Sequence, residues 1–390
     1  MTSEQPKGAQ INPRRLSLDD SEEFNFAEPP VIDMNAFFDR DNNPHWEQEC
    51  RKVAMSFHKF GICIMRDPRV QHEDNESYID MVENYFEKVG NHFYETGELK
   101  DARPDLSYQT GVTPESMEKA RDHEAIAARL TESDKPLTMY PQDFDAKWRF
   151  FWPIGERPDE IQNDLPKICP EGFPEWETKM DSWGTHMINC CTSAAQMAAV
   201  GMGLPENTFS EKMDQGSHLL APTASDLMKY EVGTAFAGFH YDLNFITIHG
   251  KSRYPGLFLW TRDWKKMACK IPQGCLLMQA GIMFEWMTGG YILGGFHEVV
   301  YTDATKNVRD SNIQLKQEQG IHKSTWRISS TLFSHLRYNV DISPLPELAH
   351  LYDPEVARTK YQGMTAHEKL CEELRAVNLA PKQSYASSEA

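Results

Sequence analysis

The sequence predicts a mainly β protein with a helical N-terminal region and a jelly-roll core. A change of pattern along its 390 residues predicts this fold. Before residue 205, apolar residues recur at spacings of three and four, as they do along one face of a helix. After residue 225, short runs of strand formers alternate with Gly- and Pro-rich turns at about ten-residue intervals, which is typical of sandwiches and jelly rolls.

The first elements of the chain are predicted as strand, helix and strand. An apolar segment at 30–34 is followed by a helical face over 46–60. Gly61 ends this helix because glycine readily adopts the left-handed conformation of a helix C-cap. The apolar run at 62–65 then favours a strand.

Two helices enclose an irregular stretch in the rest of the N-terminal region. Residues 77–95 carry one helical face, and residues 176–198 carry a longer one that ends before Gly201. Between them, residues 98–174 are rich in Pro, Gly, Asp and Trp and show no sustained period. We therefore expect long loops with short elements in that stretch.

The core strands follow in five runs. They lie at 245–248, 257–260, 275–278, 298–301 and 327–333. The polar stretch 303–324 separates the last two runs, and we expect a mobile, solvent-exposed loop there, at the closed end of the barrel. A final helix is expected from about Ala366 to Val377. The chain thus divides into a disordered tail (1–28), a helical region with a long central helix (29–205), the core (206–342) and a C-terminal segment and tail (343–390).

Composition excludes several kinds of partner. The 40 Lys and Arg residues against 58 Asp and Glu residues give a net charge of −18, and such a surface repels nucleic acid and anionic membranes. The first 28 residues lack the apolar run of a signal peptide, and no later stretch is apolar for long enough to cross a membrane. The eight cysteines form no CxxC pair, so we expect reduced, mostly buried thiols. These features predict a cytoplasmic protein, which we expect to be a monomer.

The residues most informative about chemistry are His240, Asp242 and His297. Residues two apart on a strand point to the same face, so His240 and Asp242 can reach one ion together. His297, at the start of a later strand, completes a set of two imidazoles and one carboxylate. Such a set occupies one side of an octahedral ion and leaves three positions open, which is how non-heme Fe(II) binds a co-substrate and O₂ together.

A further group of interest is a pair of residues on one face of the final strand, Arg327 and Ser329. A guanidinium beside a hydroxyl forms a bidentate holder for a carboxylate. The sequence therefore predicts a metal set and an anion-binding pair in one series of strands.

With these motifs, the stretch 29–377 resembles the Fe(II)- and 2-oxoglutarate-dependent dioxygenases, in particular the isopenicillin N synthase-like group. HYDLNFIT at 240–247 resembles HTDYGLLT of the group, and 274–299 resembles its segment from a glycine turn to the second histidine. Shorter matches lie at 30–33, 60–62, 151–153 and 255–257.

The resemblance implies a double-stranded β-helix core in which the two histidines and the aspartate hold iron. It also implies that Arg327 and Ser329 bind the distal carboxylate of 2-oxoglutarate together with Tyr230, which falls at the tyrosine of the group's RYP-type segment. The implied enzyme uses Fe(II), 2-oxoglutarate and O₂ to oxidise an unactivated C–H bond of a small organic molecule, with release of succinate and CO₂. Hydroxylation, desaturation and oxidative cyclisation, as in specialised metabolism, all fit this description.

The sequence departs from the group at three places. Tyr241 stands in place of Thr between the ligands, and Ile282 stands in place of Asp in the turn that follows a core strand. His297 and Arg327 are 30 residues apart, which is farther than in the group. Two alternatives stay open: an isopenicillin N synthase-like oxidase that uses no 2-oxo acid, and a non-catalytic module that binds a small molecule. The intact histidine–aspartate–histidine set favours an enzyme.

Overall fold

A computed structural model describes residues 26–158 and 165–376 of the chain. Within them the α-helices are α1 (Asn35–Phe38), α2 (Trp46–Phe60), α3 (His72–Thr96), α4 (Glu124–Ala127), α5 (Trp176–Gly201), α6 (Ser210–Met213), α7 (Ile282–Met287), α8 (Asp303–Gln319), α9 (Pro354–Lys360) and α10 (Ala366–Ala376). The strands are β1 (Val31–Asp33), β2 (Ile62–Arg66), β3 (Gly111–Thr113), β4 (Trp148–Pro153), β5 (Leu219–Leu220), β6 (Thr223–Asp226), β7 (Ala235–His240), β8 (Ile246–His249), β9 (Leu257–Trp260), β10 (Lys266–Ala268), β11 (Leu276–Ala280), β12 (His297–Val300), β13 (Trp326–Ser329) and β14 (Thr331–Ser334).

The strands form two sheets. In the larger sheet the order is β1-β2-β11-β8-β14-β5-β4-β6-β13, with β3 beside β4. In the smaller sheet the order is β10-β9-β12-β7. Strands β1 and β2 run parallel, and the other described pairings are antiparallel. Because β1, β2 and β4 belong to the N-terminal region, that region and the core share one sheet.

The long helix α5 connects the other helices to the larger sheet. It packs against α2 and α3 and against strands β8 and β14. Its buried side chains recur at helical spacing and include Trp176, Met180 and Met187, as the sequence predicts. A Cβ atom at Gly201 would lie 2.2 Å from the carbonyl oxygen of Cys50, so only glycine allows α5 and α2 to approach this closely.

Most predicted elements are confirmed. The strand–helix–strand start corresponds to β1, α2 and β2, and Gly61 caps α2 in the left-handed conformation with φ 66°. The described residues of the stretch 98–174, which are 98–158 and 165–174, form loops with the short elements β3, α4 and β4. Each of the five predicted core runs overlaps a strand, and the last run contains both β13 and β14. The final helix, α10, is also present, although its predicted last residue, Val377, lies outside the described residues.

The prediction of a loop over 303–324 was wrong for most of this stretch, because Asp303–Gln319 forms helix α8. The hydroxyl of Thr302 accepts a hydrogen bond from the Thr305 amide and caps the first turn, and Gly320 ends the helix with φ 67°. Among its residues only Thr305 is fully buried. Val308 packs, partly buried, against the cluster that contains Tyr254 and Tyr301. This mostly polar stretch therefore forms a helix mainly through its caps and the helix propensity of its Lys, Gln and Glu residues.

The predicted tails fall mostly outside the described residues, which begin at residue 26 and end at residue 376. In the part of the chain that is described, no helix has both the length and the apolar character needed to cross a membrane. All eight cysteines are free, and most of them are buried, as predicted. The buried ones are Cys50, Cys63, Cys190, Cys191 and Cys275.

Candidate metal centre

The smaller sheet brings the two predicted histidines together. His240 is the last residue of β7, His297 is the first residue of β12, and the two are cross-strand partners. Asp242 follows, and its Oδ1 lies 3.7 Å from His240 Nε2 and 3.9 Å from His297 Nε2. Among the described residues, this is the one group of three or more His, Cys, Asp or Glu side chains whose donor atoms converge closely enough to hold a metal ion.

Backbone carbonyl groups orient both imidazole rings. His240 Nδ1 lies 2.6 Å from the carbonyl oxygen of Gly238, and His297 Nδ1 lies 3.0 Å from that of Gly295. Because a carbonyl oxygen only accepts hydrogen bonds, each Nδ1 carries a proton, and the Nε2 of such a ring has a free lone pair when the imidazole is neutral. Metal-binding histidines usually have a partner of this kind behind the ring. Both Nε2 atoms are therefore available to an ion that also contacts Asp242.

The charges of this group suit a divalent cation. Asp242 is buried, and its Oδ2 has no hydrogen-bond partner among the described residues. Burial alone would raise the pKa of Asp242, but the two imidazoles outweigh it and hold this pKa below its usual range. Burial, and then repulsion from His297, hold the pKa of His240 well below its usual range. A carboxylate oxygen without a partner, beside two imidazole nitrogens, fits a metal ion. No hydrogen-bond donor among the described residues contacts that oxygen.

Arg327 and Ser329 lie on β13 and share one face of the larger sheet. The side chain of Arg327 is buried, and its Nε donates to the carbonyl oxygen of Pro255 at 3.1 Å. No carboxylate among the described residues pairs with this guanidinium, and burial lowers the pKa of Arg327 to about 10. The group is therefore still charged near neutral pH. A buried cation without a counter-ion is costly, and a carboxylate of a ligand would offset that cost.

No protein-family model matches the sequence, and no curated protein matches it either. Solved structures do match. A protein described as a 2OG-Fe(II) oxygenase family member from Caulobacter crescentus aligns with a TM-score of 0.65 and 17% identity, over 90% of this chain and 99% of its own. A full-length protein from Neurospora crassa, solved in complex with alpha-KG, aligns with a TM-score of 0.65 and 18% identity, over 89% of this chain and 96% of its own. JOX2 in complex with 2OG, Fe and JA aligns with a TM-score of 0.57 and 14% identity, over 87% of this chain and 82% of its own.

This chain has the 2OG-Fe(II) oxygenase fold. The resemblance seen in the sequence is thereby confirmed at the level of the fold. Because identities of 14% to 18% support the fold alone, the roles of individual residues rest on the geometry of this chain. In this oxygenase fold, the histidine–aspartate–histidine set joins the end of β7 to the start of β12.

Two polar residues that the sequence analysis missed lie between the metal set and Arg327. His249 Nε2 lies 2.5 Å from Gln279 Oε1, and its Nδ1 lies 3.2 Å from the hydroxyl of Ser329. Burial lowers the pKa of His249 to about 4, so this imidazole is neutral. Gln279 Nε2 is buried and has no hydrogen-bond partner among the described residues. The signal in the sequence was a polar face on a short core strand, because Thr247 and His249 alternate with two isoleucines in β8.

Tyr230 is not brought to the anion-binding pair. Its hydroxyl donates to the carboxylate of Glu115, which is buried and is also paired with Lys229. Its ring packs edge-on against Phe236, with centroids 6.1 Å apart. No contact described for Tyr230 reaches Arg327, so the predicted role of this tyrosine is corrected: the buried Glu115 carboxylate takes its hydroxyl instead.

A cavity of about 610 Å³ lies next to the metal set without including it. Its wall contains Tyr241 and Phe296, the chain neighbours of the metal-set residues, together with Trp264 and Arg262 of the turn between β9 and β10. Because successive residues of an extended chain point in opposite directions, this cavity lies on the other side of the strands from the imidazole nitrogens.

Proposed function

We propose that the protein is an Fe(II)- and 2-oxoglutarate-dependent oxygenase that acts on a small organic molecule. The observation that carries the proposal is the convergence of His240, Asp242 and His297, in which two imidazole lone pairs and one unpartnered carboxylate oxygen meet inside a 2OG-Fe(II) oxygenase fold. Two imidazoles and one carboxylate on one side of an ion leave three positions free for a co-substrate and O₂. When bound, the iron would supply the oxidation chemistry that side chains alone cannot perform.

The residues of the chain orient the reactants. The carbonyl groups of Gly238 and Gly295 hold the imidazole rings with their Nε2 atoms toward the ion. The buried guanidinium of Arg327, which has no counter-ion among the described residues, would pair with the distal carboxylate of 2-oxoglutarate. Ser329 would add a hydroxyl donor to the same carboxylate. This arrangement fits a dicarboxylate that extends from the ion into the core.

The strand order supports assignment of the core to a double-stranded β-helix. Along the chain, β7 lies in the smaller sheet, β8 in the larger, β9 and β10 in the smaller, β11 in the larger, β12 in the smaller, and β13 and β14 in the larger. Consecutive elements that alternate between two antiparallel sheets are typical of a jelly roll. We assign this core to 206–342, with α8 inserted between β12 and β13, and the preceding segment to 29–205.

The neighbours support a small-molecule substrate and a 2-oxo acid. The Neurospora crassa protein has also been solved with alpha-KG and thymine, and JOX2 with 2OG, Fe and JA. These complexes favour a 2-oxoglutarate-dependent enzyme over an isopenicillin N synthase-like oxidase. The net charge of −18 disfavours nucleic acid and anionic membranes as partners, and the free, mostly buried thiols agree with a cytoplasmic protein, which we take to be a monomer.

Release of succinate from 2-oxoglutarate tests this proposal. The full chain is supplied with Fe(II), 2-oxoglutarate and a panel of amino-acid-derived, heterocyclic, terpenoid and phenolic compounds. The expected result is Fe(II)-dependent succinate release that at least one compound stimulates, with none from Asp242→Ala and normal release from the exposed control Asp41→Ala. Consumption of O₂ without 2-oxoglutarate turnover would instead identify the oxidase, and a chain that binds neither iron nor 2-oxoglutarate would be a binding module.

A further inference from the structure

The cavity of about 610 Å³ beside the metal set has no role in the proposed co-substrate site. Its size suits a ligand with one or two rings, because small-molecule pockets in proteins measure roughly 300–1,000 Å³. Its wall contains Tyr241 and Phe296 but none of the three metal-set side chains. A molecule bound there would therefore lie on the opposite side of the strands from the imidazole nitrogens, apart from the co-substrate.

Aromatic rings form one continuous side of this cavity. The ring of Phe296 lies at the centre, with its centroid 5.2 Å from that of Trp264 and 5.2 Å from that of Tyr241. The ring of His123 packs against both Phe296 and Tyr241, with centroids 4.9 Å and 5.1 Å away. Such a group of rings offers flat apolar surface to a ring of a ligand.

A strained turn presents Trp264 to the cavity together with Arg262. The turn joins β9 to β10, and the Thr261 amide closes it by donating to the carbonyl oxygen of Lys265 at 3.0 Å. Trp264 has φ 62°, in the left-handed region that a bulky residue rarely adopts. Such conformations cost energy and occur often where a protein binds a ligand. The turn thus holds an aromatic ring and a cation at the same cavity.

Among the described residues of the wall, Arg262 is the cation that lacks a carboxylate partner. The other Lys and Arg side chains of the wall each have one at 2.8 to 3.0 Å, and they are Arg121, Lys360 and Lys369. Arg262 instead donates through Nη1 to the carbonyl oxygen of Tyr291 at 2.8 Å and through Nη2 to that of Gly290 at 3.3 Å. A guanidinium has five N–H donors, so three of them have no acceptor among the described residues. Because Arg262 is exposed, a ligand can reach these donors.

The other titratable groups of the wall do not neutralise the charge of Arg262. Glu285 and Glu372 are each paired with a lysine, at 2.8 Å and 3.0 Å. Burial lowers the pKa of His58 and that of His123 to about 4, so both imidazoles are neutral near neutral pH. Asp122 is exposed and has no cation partner among the described residues, so it disfavours a ligand with more than one negative charge.

We propose that this cavity is a second ligand site, which binds a ring-bearing monocarboxylate with its carboxylate on Arg262 and its ring against Trp264 and Phe296. A carboxylate fits because its two oxygens match the planar guanidinium, and its single charge balances the one cation without a partner. A phosphate group would bring a second negative charge, for which the described wall holds no free cation and which Asp122 would repel. Such a site needs no metal ion, so it is independent of the proposed oxygenase reaction.

Titration calorimetry on the full chain tests this site, in excess Fe(II) and 2-oxoglutarate under anaerobic conditions, so that the co-substrate occupies its own carboxylate site. Three probes share one ring system and differ in charge: 2-naphthoate, neutral 2-naphthamide and cationic 2-naphthylmethylamine. Acetate serves as the carboxylate without a ring. We expect 2-naphthoate to bind about tenfold or more tightly than each of the other three, because only it gains both the charge-assisted pair and the ring contacts. A smaller advantage over any of them, or no binding of 2-naphthoate, would overturn the proposal.

Variants separate the charge of Arg262 from its hydrogen bonds to the backbone. Arg262→Met should weaken 2-naphthoate binding about tenfold or more, while the affinity for 2-naphthamide stays within about twofold, because the rings of the wall are unchanged. An equal loss of both compounds would give Arg262 a structural role alone and overturn the proposal. Arg358→Met, which removes an exposed arginine outside the wall, is the matched control and should bind both compounds like the wild type.

Two further variants locate the probe. Trp264→Leu should weaken both 2-naphthoate and 2-naphthamide about fivefold or more, because an aromatic face is lost, and unchanged binding would remove the probe from this cavity. Arg327→Met should leave 2-naphthoate binding intact, and a loss with Arg327→Met but not with Arg262→Met would place the probe in the co-substrate site and overturn the proposal. Failure of the wild type to bind 2-oxoglutarate would overturn the proposed function and leave these comparisons unchanged.

Discussion

Removal of the Arg327 charge should have opposite effects on ligand affinity and on stability. In Arg327→Met, a buried cation that has no counter-ion among the described residues is replaced by an apolar side chain of similar length. Burial lowers the pKa of Arg327 from its ordinary value to about 10, so the charge costs the folded state about 3 kcal/mol. The hydrogen bond from Nε to Pro255 offsets about 1 kcal/mol of that cost.

The expected free energy of unfolding of Arg327→Met is therefore equal to that of the wild type or about 2 kcal/mol higher. Its affinity for 2-oxoglutarate should fall by about 2–5 kcal/mol, or about 30-fold or more, because one charge-assisted pair in a desolvated site is lost. Ordinary structural arginines behave differently, since their loss weakens the fold. The contrast between the two measurements is the diagnostic feature.

The affinity is measured by anaerobic titration of the Fe(II)-loaded protein with 2-oxoglutarate. The visible charge-transfer band of the complex is the signal that is recorded. Chemical unfolding gives the stability. Arg358→Met is the matched control, because that side chain is 72% exposed and pairs only with a surface glutamate. If Arg327→Met titrates like the wild type, or loses several kcal/mol of stability, the assignment of Arg327 as the carboxylate partner is wrong.

Three further predictions concern the hydroxyl of Ser329, the cap of α8 and the buried histidines. Ser329→Ala should weaken 2-oxoglutarate binding by only about 1 kcal/mol, or roughly fivefold, in the same titration, since a single neutral hydrogen bond is lost; an effect as large as that of Arg327→Met would contradict its secondary role. Thr302→Ala should lower the free energy of unfolding by about 1 kcal/mol and speed proteolysis within α8, because the Thr305 amide loses its acceptor; unchanged proteolysis would argue against the cap. Burial lowers the pKa of His218 to about 4 and that of His335 to about 3. As the pH falls, both side chains therefore become protonated at a higher pH in the unfolded state than in the folded state. Stability should be complete above about pH 6.5 and should fall as the pH drops toward 4, and His218→Gln should make that fall shallower in thermal melts at a series of pH values.

The metal set could be predicted from the sequence because its geometry is mostly local. His240 and Asp242 are two residues apart at a strand end, and alternation alone puts them on one side. His297 is distant in sequence but opens a strand, and the cross-strand pairing with His240 needed only the right sheet order. Arg327 and Ser329 were singled out for the same reason, and the structure places them as alternate residues of one strand.

The place of Arg149 on the same sheet face as the anion-binding pair could not be predicted, because it depends on pairing between strands that are far apart in the chain. Arg149 pairs with Thr223, the cross-strand partner of Ser329, only after β4 has inserted beside β6, and β4 lies in a stretch without a periodic signal. Glu118, which lies 3.2 Å from the Arg149 guanidinium, comes from a loop of the same stretch. Tyr230 was misplaced because sequence spacing does not reveal that a buried carboxylate, Glu115, takes its hydroxyl.

Helix α8 shows a different limit of sequence reasoning. Hydrophobic periodicity detects helices that bury one face, and α8 buries only Thr305 in its first turn. The signals that remained were Thr302 before the first turn and Gly320 after the last, with no apolar pattern between them. Caps of this kind locate the ends of a helix but do not by themselves distinguish a helix from a loop.

The central claim is that His240, Asp242 and His297 hold an iron ion that binds 2-oxoglutarate. The most direct test is the anaerobic visible spectrum of the Fe(II)-loaded full chain before and after addition of 2-oxoglutarate, with iron content measured on the same sample. If they do, the protein binds one iron per chain and a charge-transfer band appears with 2-oxoglutarate. Both should be lost in Asp242→Ala, because two imidazoles alone leave the charge of the ion uncompensated. Absence of the band in the wild type, or a band and iron content in Asp242→Ala equal to those of the wild type, would contradict it.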